Sequence, residues 1–198
     1  MSKLYERALE FATKAHAGQK RKNVVRCPTA CPEEYIPGNG CGVCGGSGWM
    51  RPDYITHPIA VSELAMKYWV QYSGDEVLAK GTQLIGVTAL FHDIVEDCPK
   101  YPTVASITAE FGDEFLEDTL GHLTHMPKDV SYFKYIMNII ENGTLEAQFI
   151  KIADITHNLS TWPEKKGSMR DKWELARELL VSGLDDTENI FNKVGYQL

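Results

Sequence analysis

Nowhere in its 198 residues does the chain hold the roughly 18 consecutive apolar residues that a membrane-crossing helix requires. The opening Met1-Ser2-Lys3-Leu4-Tyr5-Glu6-Arg7 is amphipathic and lacks the apolar centre of a signal peptide, so the cytoplasm is the expected compartment. Positive charge is scarce: 20 Lys and Arg against 27 Asp and Glu leave a net charge of −7. Neither a nucleic-acid partner nor a membrane surface is expected of such a balance. Strand-like alternation is weak and internal repeats are lacking. Cysteine is almost confined to one stretch, where Cys27, Cys31, Cys41 and Cys44 fall within 18 consecutive residues and leave only Cys98 outside. In a reducing compartment such clustering favours a bound metal over disulfides.

What is present is mostly helical periodicity. The length suits one domain with a sizeable core, and 43% hydrophobic with 24% charged residues is ordinary for a globular protein. Leu4, Ala8, Phe11, Ala12 and Ala15 predict a helix over residues 2–17. Pro58 opens another, reaching residue 72, with Val61, Leu64, Ala65, Tyr68 and Trp69 inward. Residues 78–97 read as one continuous apolar helix bounded by Pro99 and Pro102. Further helices are predicted at 103–111, 113–123, 132–142, 145–159 and 169–180, giving an all-α fold. Residues 23–53 break the pattern with Pro28, Pro32, Pro37, Pro52 and many glycines, so they read as loop and turn. A loop of that length needs stabilisation of its own, which bound zinc would supply.

The chemistry lies in His57, His92-Asp93 and Asp154. On an unbroken helix His92, Asp93, Glu96 and Asp97 sit at offsets 0, 1, 4 and 5 and share a face. Carboxylates crowded there with an imidazole repel one another and resist burial unless a cation compensates. Imidazole and carboxylate ligands together suit a hard or borderline divalent ion. Four protein ligands leave octahedral positions open, where water and a phosphate oxygen can be activated. Singly, these residues have plainer readings. His57 could be a helix-entry residue, His16, His122, His125 and His157 surface or core side chains, and Glu96 and Asp97 exposed helix residues. Lys20-Arg21-Lys22 could be a solvated helix end and Asn158 a bonded amide. The joint arrangement favours the metal.

Several segments carry a resemblance. Ala15-His16-Ala17-Gly18-Gln19-Lys20-Arg21-Lys22, Tyr54-Ile55-Thr56-His57-Pro58-Ile59, His92-Asp93-Ile94-Val95-Glu96-Asp97, Phe111-Gly112 and Leu123-Thr124 are followed by Lys151-Ile152-Ala153-Asp154-Ile155-Thr156-His157-Asn158-Leu159. This order resembles the HD phosphohydrolases, and more narrowly the hydrolase domain of RelA/SpoT homologues. It is most similar to the small free-standing alarmone hydrolases of the metazoan SpoT-homologue type. The resemblance covers about residues 5–22 and 53–160. It implies an HD-domain helical bundle, with one hydrolase domain over 1–198 interrupted by a zinc-binding insertion at 23–53. It implies one catalytic Mn²⁺ on His57, His92, Asp93 and Asp154, with Glu96 and Asp97 orienting or deprotonating the attacking water. The implied substrate is a small molecule, a guanosine or adenosine tetra- or pentaphosphate whose 3′-pyrophosphate is released. Arg21 and Lys22 match positions lining the nucleotide pocket, and Asn158 matches one contacting ribose and phosphate. Thr124 and Lys151, in matched segments, join them as expected substrate contacts.

Two departures stand out. His125 occupies a position where such enzymes commonly carry Lys, with Lys128 or Lys134 as substitutes for that phosphate contact. The 31 positions of 23–53 replace a handful of residues, and they join two segments flanking the pocket, so they are expected to cover or restrict it. Within them, Cys41-Gly42-Val43-Cys44-Gly45-Gly46-Ser47-Gly48 resembles one CxxCxGxG repeat of the DnaJ-type zinc finger. Cys27 and Cys31 would complete a closed tetrahedral site holding structural Zn²⁺. Cys98 reads as a small buried hydrophobe. Two other functions stay open. One is a general HD nucleotidase sharing the four ligands. The other is an antitoxin-type binding protein acting through the zinc module, its partner a toxin or a second copy of the chain.

Overall fold

Ser2 opens the first helix by accepting the Tyr5 amide on its hydroxyl, and α1 (Lys3–Ala15) follows with Tyr5, Ala8 and Ala12 buried. A two-residue antiparallel pair, β1 (Val25–Arg26) and β2 (Trp49–Met50), separates α1 from the remaining helices. These are α2 (Thr56–Ser73), α3 (Lys80–Phe91), α4 (Ile94–Asp97), α5 (Val104–Phe111), α6 (Glu114–Leu123), α7 (Tyr132–Asn142), α8 (Leu145–Thr161) and α9 (Gly167–Ser182). The computed structural model describes residues 2–29, 41–45, 47, 49–76, 79–101, 103–111, 114–125, 130–161 and 167–184. The fold is all-α, as the periodicity predicts. Among the described residues no helix is long and apolar enough to cross a membrane.

Local chemistry fixes several boundaries. Gly74 adopts φ 72°, a left-handed conformation suited to glycine, and its amide returns to Val70 O to close α2. Thr103 offers its hydroxyl to the Ser106 amide ahead of α5, and Ser131 does the same for Lys134 at the start of α7.

Among the described residues two apolar clusters form the interior, and α3 belongs to both. Ile85 and Ala89 pack with Val61, Tyr68, Phe149, Ile150 and Ile139, drawn from α2, α8 and α7. Val87, Leu90 and Phe91 pack with Ala8, Ala12, Ile94, Ile107 and Leu116 from α1, α4, α5 and α6. A helix flanked on two sides must be apolar nearly all round, which explains why its sequence shows so little amphipathic contrast. Gly86 serves the α2 contact: a Cβ there would meet Met66 Sδ at 2.6 Å, and the Gly86 carbonyl accepts the Ser62 hydroxyl at 2.8 Å. Cys98 is buried in the second cluster, matching its reading as a small hydrophobe.

Two expectations need correction. Residues 78–97 do not form one helix: α3 ends at Phe91, and α4 starts at Ile94. In a continuous helix Ala89 O would accept the Asp93 amide. Instead the His92 Nδ1–H takes that carbonyl at 2.7 Å, and Asp93 turns to φ −101°, ψ −4°. The second correction concerns 23–53, whose two legs pair where only loop and turn were expected. Tyr54 N donates to Gln19 O at 3.0 Å, Arg21 N donates to Pro52 O at 2.9 Å, and Lys20 bridges Asp53. The register then shifts, with Val25 opposite Met50 and Arg26 opposite Trp49. Lys22, Asn23 and Val24 thus bulge opposite Arg51 alone. Two antiparallel legs leaving the same root satisfy their backbone groups on each other, which local composition does not announce.

Phe149 is fully buried with the rings of Trp69 and Tyr72 against it. Phe149→Ala is expected to cost about 3–5 kcal/mol of unfolding free energy in urea titrations. The same change at exposed Phe133 should stay within about 0.5 kcal/mol.

Candidate functional site

The first turn of α2, the end of α3, the break after it and the middle of α8 deliver four side chains to one buried point. His57 Nε2 lies 3.1 Å from Asp154 Oδ1 and 3.4 Å from Asp93 Oδ2. His92 Nε2 lies 3.1 Å from Asp93 Oδ2 and 3.7 Å from Asp154 Oδ1. Metal–ligand bonds of about 2.0–2.2 Å put neighbouring donors roughly 2.8–3.6 Å apart in octahedral or tetrahedral geometry, so the spacing suits a shared cation. The chemistry of the donors agrees. A carbonyl only accepts, so the His92 nitrogen facing Ala89 O carries the proton, and in the neutral ring Nε2 presents a lone pair. That atom is buried, has no hydrogen-bond partner among the described residues, and faces carboxylate oxygens. Lone pairs facing one another in a buried site call for a positive charge between them. His57, His92 and Asp154 form a group able to hold a divalent metal, and Asp93 Oδ2 lies beside both imidazoles.

Neighbours hold the carboxylates in place. Asp154 accepts Lys151 Nζ at 2.8 Å on one oxygen and Asn158 Nδ2 at 2.7 Å on the other. Asp93 accepts the Tyr54 hydroxyl at 2.8 Å. Burial, the largest influence on Asp154, pushes its carboxyl up. The Lys151 ammonium, foremost of the opposing influences, holds the group well below the usual carboxylate range. Burial likewise opposes the charge on Lys151, and Asp154 overrides it. The expected substrate contact Lys151 is therefore a mostly buried ion-pair partner of Asp154 as well as part of the cavity wall.

His57, Asp93 and Asp154 line a cavity of about 540 Å³, of nucleotide size, with His92 buried behind them. Glu96 and Asp97 line it beside them. Glu96 Oε1 accepts the His125 backbone N–H at 2.7 Å. Glu96 as a residue is exposed, with protein around part of its carboxyl. This enclosure pushes it up to about 7, against the pull of the His125 amide. Basic residues line it too: Lys20, Arg21 and Lys22 come from the root of the insertion. Arg21 donates to Asn158 Oδ1 at 2.9 Å and lies 5.6 Å from the centre of the Tyr54 ring. Asn158 thus links Arg21 to Asp154.

Thr124 lies apart from the other expected substrate contacts. Its hydroxyl donates back to Leu120 O at 2.8 Å, and the residue lines a separate cavity of about 490 Å³ with His125 and Lys134. The threonine follows the last turn of α6, and bonding to its own helix turns it away from the nucleotide-sized cavity. Lys134, the proposed replacement for the missing lysine, faces that second cavity, and Lys128 lies outside the described residues. Conversely, Asn23, Tyr132, Thr161 and Trp173 line the main cavity without having been singled out. Thr161 and Trp173 lie beyond the matched segments, where helical periodicity says only which face is buried. His157, read as surface or core, places Nδ1 2.7 Å from His57 Nδ1. The Cys98 thiol, pushed up to about 11 by burial and by Asp97, is no nucleophile near neutral pH.

At the far end of the insertion, sulfurs of Cys27, Cys41 and Cys44 lie within 4.8 Å of one another, and Cys27 and Cys41 are 3.8 Å apart. A tetrahedral centre with metal–sulfur bonds of about 2.3 Å has sulfurs about 3.8 Å apart, so the group fits a divalent metal. Gly45, at φ 63°, lets the chain turn so that its amide meets Cys41 O at 2.8 Å. Cys31, the expected fourth ligand, lies outside the described residues.

Comparison with protein-family models and with curated protein sequences gives no match. Among solved structures, the chain matches one described as a metazoan orthologue of SpoT that hydrolyses ppGpp and plays a role in starvation responses. The two are 21% identical, and the match covers 100% of this chain and 98% of the other with a TM-score of 0.61. This chain has the fold of that hydrolase.

The Asp154–Lys151 pair gives a test of the site's electrostatics. In metal-free protein Lys151→Met is expected to lower stability by about 3–5 kcal/mol in urea titrations, because Asp154 is left charged and buried. Added divalent cation should recover part of the loss.

Proposed function

We propose that the chain is a Mn²⁺-dependent hydrolase that removes pyrophosphate from the 3′ position of guanosine or adenosine tetra- and pentaphosphates. We read it as one domain over residues 1–198 interrupted by the insertion at 23–53. The observation that carries this is His92 Nε2, buried without a hydrogen-bond partner among the described residues and facing two carboxylates that line a cavity together with Lys20, Arg21 and Lys22. The fold, shared along its whole length with a protein described as hydrolysing ppGpp, supports it.

His57, His92, Asp93 and Asp154 would hold the metal, which would polarise a phosphoryl oxygen and acidify water. Glu96 takes the proton of the attacking water, and its raised carboxyl pKa suits a base working near neutral pH. The His125 amide holds that carboxylate at one oxygen and leaves the other for water. Asp97, beside it on the cavity wall, orients the same water. Lys22 meets a phosphate, and Arg21, held by Asn158, offers its guanidinium plane for stacking on the base. A general nucleotidase would share the ligands, but the Lys20, Arg21 and Lys22 wall favours a substrate with phosphates on both sides of the ribose.

Structural Zn²⁺ on Cys27, Cys31, Cys41 and Cys44 would tie the tip of the insertion, whose root supplies Arg21, Lys22 and Asn23 to the cavity. The insertion thereby restricts the nucleotide site. Replacing residues 27–48 with a short turn is expected to raise KM for ppGpp more than it lowers kcat; unchanged KM and unchanged selectivity would refute the restriction.

The direct test is incubation with ppGpp and Mn²⁺, before and after chelation, with products resolved by chromatography. GDP and pyrophosphate are expected, and only with metal. Orthophosphate alone would favour the nucleotidase. Glu96→Gln should lower kcat by about 10²–10⁴-fold. With the Glu96 carboxyl at about 7, its basic form is lost as pH falls. The wild-type kcat should therefore drop about tenfold per pH unit below that point, and a flat profile down to pH 5 would exclude Glu96 as the base.

A further inference from the structure

We infer that His157 is a positioning residue for the cation site: its ring accepts the Nδ1 proton of His57 and so keeps the His57 Nε2 lone pair aimed at the carboxylates. The inference rests on the proposed reading of His57 as a metal ligand. Asp154, His157 and Asn158 stand at offsets 0, 3 and 4 on α8 and share one face, directed at the first turn of α2. The two imidazoles meet Nδ1 to Nδ1 at 2.7 Å, with rings 4.9 Å apart and tilted by 32°. At that separation one nitrogen donates and the other accepts, since two N–H groups or two lone pairs would repel.

The location of the proton decides what His57 offers on its other side. With the proton on His157, a neutral His57 would carry its own proton on Nε2, pointing at Asp154 Oδ1 at 3.1 Å and Asp93 Oδ2 at 3.4 Å. Such a ring has no electron pair for a cation. With the proton on His57 Nδ1, Nε2 presents its lone pair to the same point as His92 Nε2. His92 reaches that state through the Ala89 carbonyl. His157 does for His57 what a carbonyl does for His92, and groups of this kind orient metal-bound imidazoles. Position supports the role: Thr156 and Leu159 are buried beside His157, and its own carbonyl is taken by the Ser160 and Thr161 hydroxyls, so α8 holds the ring in place.

The test compares His157→Leu, which removes the acceptor, with His157→Asn, whose Oδ1 occupies nearly the place of Nδ1. Mn²⁺ affinity is measured by electron paramagnetic resonance of the free ion, alongside the melting temperature of each metal-free protein. His157→Leu should weaken Mn²⁺ binding by about 10–100-fold, and His157→Asn should restore most of it, with similar melting temperatures. Equal Mn²⁺ affinity in wild type and His157→Leu would overturn the inference while leaving the ligand set standing. Wild-type protein whose Mn²⁺ binding is indifferent to His57→Ala would overturn the ligand set, and this inference with it. Should His157→Leu fail to fold, nitrogen chemical shifts of Zn²⁺-loaded wild type decide instead. A protonated His57 Nδ1 beside an unprotonated His157 Nδ1 is expected, and the reverse would contradict the role.

Discussion

Two carboxylates, each within 3.7 Å of two buried imidazoles, constrain the rest of this molecule. Such a group is stable only if positive charge or well-placed donors offset the crowding. The chain supplies the donors from nearby turns: Lys151 and Asn158 sit one turn either side of Asp154, and Tyr54 reaches Asp93 from ahead of α2. The apolar all-round character of α3 serves the same demand, since packing in both clusters fixes the helix that ends at His92 from two sides. The break between α3 and α4 is part of the device. By giving the Ala89 carbonyl to His92 rather than to the Asp93 amide, the chain orients one imidazole and swings the next carboxylate toward it.

The insertion is joined to this centre by backbone. Pairing from Gln19 with Tyr54 outward to Arg26 with Trp49 makes a narrow ribbon, with the cavity's basic residues at its root and the sulfur cluster beyond its tip. The bulge at Lys22, Asn23 and Val24 lies where the ribbon leaves the cavity wall, which Lys22 and Asn23 line.

Helix positions were legible in the sequence because apolar spacing records burial directly, and α7 matches its predicted span residue for residue. The four side chains that converge were legible because imidazole and carboxylate groups are conspicuous inside apolar runs. The break at His92 was not, since it depends on a side chain competing for a backbone carbonyl, and periodicity carries no trace of that. The ribbon was hidden because its pairing partners lie some thirty residues apart and only two residues on each leg are strand proper. His157 was seen but not understood: its meaning lies in a contact across 100 positions of sequence, with a ring that is itself ordinary. Thr124 shows the converse, a residue in a matched segment whose side chain folds back on its own helix.

All of this depends on one cation being gripped where the four side chains converge. Anomalous diffraction from manganese-soaked crystals, collected at the metal's absorption edge, tests it most directly. The account requires a single strong peak about 2.0–2.3 Å from His57 Nε2, His92 Nε2 and oxygens of Asp93 and Asp154. A peak lying elsewhere, or none at that point with the side chains placed as described, would contradict it.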